Sequence, residues 1–143
     1  MKLSRKCDYA LRAIVEIAQA GEGEYTNIAH IAEKCSLPAP YLEQVLLQLK
    51  KAGVLSSKTG PGGGYRLRQP ASEVTLLEII RIVDGPVAPV RCVSMTAYER
   101  CSCEEDCSLR PIMSEVRDAI AGILDGLTLE DACTRTRGRR RAS

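Results

Sequence analysis

Residues 39–68, APYLEQVLLQLKKAGVLSSKTGPGGGYRLR, decide the fold of this chain. In the first half, apolar residues follow the i, i+3, i+4, i+7 spacing of a helix that buries one face. They are Leu42, Val45, Leu46 and Leu49. Gly53 ends this helix, and two short extended runs follow, at 54–58 and 65–68. The glycine-rich segment 60–64 lies between the two runs and predicts a tight hairpin with a sterically bare tip.

Two more helices are predicted ahead of this stretch. Residues 3–19 carry a broad apolar surface, and a second helix begins at an N-cap on Thr26 and breaks at 35–37. Two short helices joined by a tight turn and followed by a glycine-tipped hairpin form a winged helix-turn-helix, in which the second short helix enters the major groove of DNA. We therefore expect a mainly α fold with a small β-hairpin, and a DNA-binding domain at residues 1–85.

The C-terminal half is predicted to add a loop and a dimerisation helix. A capping box at 75–78 opens a fourth helix, and a cysteine-rich loop occupies 86–110. Residues 111–133 hold a long helix and a last helical turn, and 134–143 form a basic, disordered tail. The long helix has an apolar stripe that nothing later in the chain covers, so we expect it to pack on the first helix and on a second copy of the chain in a homodimer. The stripe consists of Ile112, Val116, Ile120, Ile123, Leu124 and Leu127.

Charge is spread unevenly along the 143 residues, whose formal net charge is +2. Residues 1–70 hold 10 basic and 6 acidic residues, residues 71–133 hold 5 and 12, and residues 134–143 hold 5 arginines and no acid. The basic N-terminal half suits double-stranded DNA. The acidic segment suits a protein partner. Because no apolar run could span a membrane and the N-terminus does not resemble a signal peptide, we expect a cytoplasmic protein without a membrane partner.

The candidate DNA contacts lie on the third predicted helix and on the hairpin. Glutamate can accept a hydrogen bond from the cytosine amino group, glutamine can pair with adenine, and basic side chains can neutralise phosphates. The candidates are Tyr41, Glu43, Gln44, Gln48, Lys51, Lys58, Gly62, Gly63 and Arg66. The competing interpretation is a helical bundle whose charged face is only solvated. The hairpin and the charge asymmetry weigh against that interpretation.

Seven cysteines and one histidine restrict the chemistry of the chain. Four of the cysteines follow the spacing Cys92-x8-Cys101-x-Cys103-x3-Cys107. Soft thiolate sites select zinc, Cu(I) or iron–sulfur clusters, and spacing alone does not choose among them. The chain has no C-x-x-C motif, no P-loop and no suitable histidine base, so we do not expect an enzyme.

Six short motifs occur together in the order and at the intervals of one known family. They are Met1-Lys2-Leu3-Ser4, Asp8-Tyr9-Ala10-Leu11, Tyr41-Leu42-Glu43-Gln44, Leu49-Lys50-Lys51-Ala52-Gly53, Gly60-Pro61-Gly62-Gly63-Gly64-Tyr65 and Asp84-Gly85. Over residues 1 to about 130 the chain resembles the IscR/NsrR-type (Rrf-two) family of bacterial winged-helix transcription regulators. The resemblance implies a dimer in which the long helix crosses between protomers. Two positions depart from the family pattern. Pro40 stands where a small polar residue is common, and Thr59 stands where a basic residue is common. These departures affect which operator sequence is expected and do not affect the expectation of DNA binding.

The resemblance also implies that the loop binds an iron–sulfur cluster, either 2Fe-2S or 4Fe-4S. The cysteine ligands it implies are Cys92, Cys101 and Cys107, with Cys103 as the alternate to Cys101. Arg110 stands where some members have a histidine ligand. Other members use a carboxylate from the first helix of the partner chain, and Asp8 matches that position.

These observations predict a sequence-specific transcriptional regulator that senses redox state, iron or nitric oxide through a cluster. The alternative is a cluster-free regulator of the same fold that responds through thiol oxidation or a protein partner. Zinc in place of a cluster also stays open.

Overall fold

The computed structural model describes residues 2–142, and for residues 136, 137 and 139–142 the backbone alone. Within that range it has six α-helices and a two-stranded antiparallel sheet, which confirms the expected mainly α class with a hairpin. None of these helices is both long enough and apolar enough to cross a membrane. The helices are α1 (Arg5–Gln19), α2 (Ile28–Cys35), α3 (Ala39–Lys51), α4 (Leu76–Asp84), α5 (Leu109–Asp125) and α6 (Leu129–Ala142). The strands are β1 (Leu55–Lys58) and β2 (Gly64–Leu67).

Helices α2 and α3 form the helix-turn-helix. The side chain of Asn27 caps α2 by accepting a hydrogen bond of 2.7 Å from the backbone N–H of His30, one residue later than the predicted cap. Ser36 takes the left-handed conformation that turns the chain between the helices, with φ of 54°. The four predicted core residues of α3 are all fully buried, so its outer face is fixed by the packing of its inner face.

The hairpin packs against the start of α2. In the β1–β2 register Leu55 pairs with Leu67, and Thr26 is bridged to Tyr65 on the other edge of β2 by two backbone hydrogen bonds of 2.9 Å. Thr26 therefore forms an isolated bridge to β2 and is not the N-cap. A Cβ on Gly64 would overlap the carbonyl of Thr26, so this close approach needs a glycine.

Helix α6 packs back on the N-terminal domain. Leu129 is fully buried in the main core, and bonds of 2.9 Å join Leu76 N to Leu127 O and Leu129 N to Val74 O. Thr128 and Asp131 form a reciprocal cap, in which the Thr128 N–H donates to Asp131 and the Asp131 N–H donates to the Thr128 hydroxyl.

The prediction that residues 134–143 are disordered is wrong for residues 134–142, because the backbone of α6 is helical to Ala142. The cap starts the helix firmly, and arginine is a good helix former. Residue 143 lies outside the described residues.

Helix α5 begins two residues earlier than predicted and has two apolar faces. One face contributes Ile120, Ala121 and Leu124, which pack on a small core made by the N-terminal domain and the segment after α4. That core consists of Cys7, Leu77, Ile80 and Val87. The other face stays exposed, with Leu109 at 57%, Ile112 at 52%, Val116 at 38% and Ile123 at 65%. The predicted stripe is thus divided, since Ile120 and Leu124 are covered within the chain.

Candidate DNA-binding face and cysteine loop

The outer face of α3 is exposed along its whole length. Glu43, Gln44 and Lys51 lie on this face, as the sequence predicts. Pro40, Leu47 and Lys50 are exposed on the same side. The face therefore presents hydrogen-bonding, basic and apolar groups together.

Two predicted contacts lie at the edge of this face instead. The Gln48 amide nitrogen donates a 2.9 Å hydrogen bond to the backbone carbonyl of Ile82. That carbonyl belongs to the last turn of α4, where the helix itself provides no partner, so Gln48 ties α3 to α4. A base contact by Gln48 would have to break this bond, and it stays a prediction. The ring of Tyr41 packs edge-on against Tyr9, with ring centroids 5.4 Å apart.

Two basic side chains of the hairpin stack on one aromatic ring. The Arg66 guanidinium lies 4.8 Å from the centroid of Tyr25, and the Lys58 ammonium lies 5.9 Å from it. Arg66 Nε also donates to the Ser56 hydroxyl at 3.3 Å. Tyr25 was missed by sequence reasoning because no local pattern connects it to the hairpin. The ring restricts the movement of the two cations on the side of the hairpin. The hairpin, residues 55–67, is the wing of the winged helix.

The glycines of the wing tip shape its turn. Gly62 has a φ of +73°, which side chains rarely adopt. A Cβ on Gly63 would overlap the carbonyl oxygen of Lys58. The Gly63 N–H donates to Gly60 O at 3.0 Å, which closes the turn. The predicted bare tip is therefore present, with backbone groups open to a ligand.

Three of the four loop cysteines line one cavity. Cys92, Cys101 and Cys107 surround a space of about 440 Å³, together with the apolar side chains of Leu109 and Met113. Cys103 is exposed and does not line this space, although its sulfur lies 3.5 Å from the sulfur of Cys101. Two hydrogen bonds from Cys103 lower the pKa of the Cys101 thiol. The bond from the Cys103 backbone has the larger effect, and the bond from its thiol has the smaller one.

Ionic and polar contacts hold the loop around this cavity. Arg117 Nη1 on α5 donates to the Val93 carbonyl at 2.6 Å, which anchors the short turn that carries Cys92. Tyr98 donates to Glu104 at 2.6 Å, and Arg110 forms a 2.9 Å ion pair with the same carboxylate. The Tyr98 hydrogen bond and the Arg110 charge lower the pKa of Glu104, so the carboxylate is ionised and the network is intact at neutral pH.

The donor set fits a cluster in its chemistry, and the three sulfurs lie along one cavity without yet converging on one centre. Iron in clusters is held by cysteine thiolates, and three thiols face one cavity. Among the residues whose side chains the structure describes, no three cysteine, histidine or carboxylate groups are close enough to hold a single metal ion. Binding a cluster therefore needs the loop to bring the three sulfurs towards one centre.

Asp8 and Cys7 lie in the first turns of α1. The Asp8 carboxylate is half exposed and pairs with Arg12 at 3.1 Å, and it does not line the cavity of its own chain. Cys7 is fully buried, and burial is the main cause that raises the pKa of its thiol to about 11. Cys7 is thus a packing residue, whereas the Asp8 carboxylate is partly open to solvent.

The helix-turn-helix, its basic wing and the exposed polar face of α3 define a winged-helix DNA-binding regulator. The sequence profile of the Rrf2 family, described as an iron-dependent transcriptional regulator, matches residues 3–135. The chain belongs to the Rrf2 family of transcriptional regulators, which confirms the resemblance seen in its motifs.

Curated relatives agree with this assignment. The chain is 37% identical over 135 residues to an rrf2-like HTH-type transcriptional regulator of Rhodobacter capsulatus, covering 90% of each. It is 35% identical to CymR of Bacillus subtilis, covering 99% of this chain and 96% of CymR. It is 34% identical to IscR of Photorhabdus laumondii, covering 92% and 78%. The solved structure of B. subtilis CymR, described as a global cysteine regulator, matches with a TM-score of 0.82 at 32% identity, covering 94% of this chain and 98% of that one.

Proposed function

We propose that this chain is a homodimeric, sequence-specific regulator that senses redox state, iron or nitric oxide through an iron–sulfur cluster held by the cysteine loop. The observation that carries the proposal is the shared cavity of Cys92, Cys101 and Cys107. These are the three cysteines that the family resemblance implies as ligands, and Cys103 is outside the cavity. Leu109 and Met113 add apolar side chains to a lining that also includes charged residues.

The DNA-reading part of the proposal rests on α3 and the wing. Glu43 and Gln44 carry the groups that meet base edges, and Lys51 lies on the same exposed face to meet phosphate. Lys58 and Arg66 add two cations on the Tyr25 ring. Gln48 acts from behind α3, by fixing its position against α4.

The dimer part of the proposal rests on the uncovered face of α5. A second copy of the chain would cover Ile112, Val116 and Ile123, and would bring Asp8 of the partner subunit near the loop. A carboxylate is a harder ligand than a thiolate, so it would leave one iron open to exchange. A bound cluster would supply the centre that reacts with oxidants or nitric oxide.

The packing offers a route from the loop to the DNA face. Arg117 joins the Cys92 turn to α5, the inner face of α5 packs on α4, and Gln48 joins α4 to α3. A change in the loop can thus move α5 relative to α4 and shift the balance between two arrangements of the dimer.

The test is the iron and sulfide content of serine variants purified without oxygen. Cys92→Ser, Cys101→Ser and Cys107→Ser should each lose the cluster, because two thiolates would leave two cluster positions to weaker ligands. Cys103→Ser is the matched control within the loop and should keep it. Retention of iron and sulfide by the Cys101 and Cys107 variants would contradict the ligand assignment.

One observation favours the second candidate, a cluster-free regulator that responds through its thiols. The Cys101 and Cys103 sulfurs are 3.5 Å apart. A hydroperoxide could oxidise the two thiols to a disulfide, being reduced to an alcohol and water, with both thiol protons accounted for in those products. A colourless protein whose DNA affinity responds to peroxide, and loses that response in Cys103→Ser, would favour this candidate. A protein partner on the acidic segment 71–133 stays a prediction of the charge pattern.

A further inference from the structure

The exposed face of α3 contains an apolar pair that its hydrogen-bonding residues do not explain. Leu47 is 43% exposed, whereas the other leucine and valine side chains of α3, at Leu42, Val45, Leu46 and Leu49, are fully buried. Pro40 is exposed as well and lies seven residues earlier, which is two helical turns along the same side. The pair is therefore one stripe on the outside of the helix.

The position of this stripe relates it to DNA. Glu43 and Gln44 lie between Pro40 and Leu47 on the exposed face, and Lys51 follows one turn after Leu47. A lone exposed leucine is ordinary on a protein surface. Here the leucine sits in the middle of the face that would enter the major groove, with Glu43 and Gln44 on its N-terminal side and Lys50 and Lys51 on its C-terminal side.

The major groove offers one apolar group that such a side chain can recognise. Thymine carries a C5-methyl at the groove edge, and the other bases of unmodified DNA present only hydrogen-bonding groups and ring hydrogens there. A leucine pressed on those groups would remove their water without replacing its hydrogen bonds. Contact with a methyl carries no such penalty.

We propose that Leu47 is a specificity-determining residue that reads the C5-methyl of thymine next to the bases read by Glu43 and Gln44, with Pro40 making a similar contact at the other end. The inference rests on the proposed function, since it needs α3 to lie in the major groove. It predicts that the preferred site has thymine at fixed positions beside the hydrogen-bonded ones.

The test compares binding to DNA with and without the thymine methyl while the rest of the base stays the same. The full-length protein first selects its preferred duplex from a random pool, and each thymine in that duplex is then replaced by deoxyuridine, which lacks only the methyl. At one or two positions in each half-site this replacement should weaken binding roughly 3- to 10-fold, as expected for losing one buried methyl. In Leu47→Ala the same replacement should have little effect, whereas Leu47→Met should stay sensitive.

Lys51→Ala is the control on the same helix. It should weaken binding to every duplex and keep the full sensitivity to deoxyuridine. The inference is overturned if no thymine is sensitive, or if Leu47→Ala responds to deoxyuridine as strongly as the parent. A protein that selects no preferred duplex at all would overturn the proposed function, and with it this inference. Because Leu47 is exposed, its variants should keep the parent's helical circular dichroism.

Discussion

Replacing Ile123 by alanine should weaken the dimer and leave the protomer folded. Ile123 is the most exposed apolar residue on the outer face of α5, at 65%. Truncation therefore removes little packing within the chain. In the proposed dimer that exposed portion is buried against the second copy, so its loss appears as a loss of association.

The size of the effect follows from the exposed fraction. Full burial of an isoleucine side chain stabilises by about 1.5–3 kcal/mol, so the exposed two thirds corresponds to about 1–2 kcal/mol. A two-fold symmetric interface counts the change twice, which gives about 2–4 kcal/mol for each dimer. The dimer dissociation constant should rise roughly 30- to 1,000-fold.

Sedimentation equilibrium over a range of protein concentrations measures this shift. Leu47→Ala removes an apolar side chain of intermediate exposure, 43%, from α3 and serves as the matched control. A parent protein that sediments as a monomer at micromolar concentration would contradict the reasoning. So would an Ile123→Ala protein that dissociates no more readily than the Leu47→Ala control.

Three further substitutions probe contacts that the structure defines. Tyr25→Ala should weaken binding to all duplexes about 2- to 5-fold, because Arg66 loses its aromatic support, and Tyr25→Phe should restore it in a filter-binding titration. Gln48→Leu should lower the free energy of unfolding, measured in urea, by about 0.5–1.5 kcal/mol, because the hydrogen bond to Ile82 is lost. Its base preference should not change, and an altered preference would show that Gln48 contacts a base. The free energy of unfolding should fall as pH rises from 9.0 to about 11, because the Cys7 thiol ionises first in the unfolded chain. Urea denaturation of Cys7→Ala should show a smaller fall across this range, and an equal fall would exclude Cys7 as its source.

Helical periodicity predicted the part of the fold that positions the DNA face. The spacing of the buried residues of α3 fixed its inner face, and with it the exposure of Glu43, Gln44 and Lys51. Periodicity gives only the angle of a side chain around its helix. Gln48 lies at the boundary of the two faces, and the α4 carbonyl that engages it is 34 residues away in sequence.

Local sequence patterns also do not predict contacts between segments that are far apart in the chain. Tyr25 meets Arg66 because Thr26 bridges to β2, a pairing between residues far apart in the chain. The same bridge explains why Thr26 was mistaken for an N-cap, since its residue type suits both roles.

For the cysteine loop, too, the sequence predicts one part of the site and the fold determines the other. Spacing placed four thiols in one segment, but the distinction between Cys103 and the other three depends on which side chains turn inward. The family resemblance implied the same three residues.

A titration with nitric oxide shows whether the state of the cysteine loop controls DNA affinity. Protein purified without oxygen is mixed with its selected duplex, and nitric oxide is added stepwise while visible absorption and DNA binding are recorded on the same sample. We predict that DNA affinity changes in proportion to the loss of cluster absorption, by roughly 5- to 150-fold, as is typical of coupling between two sites. An affinity that stays constant while the absorption disappears, or a protein that has no visible absorption at the outset, would contradict the account.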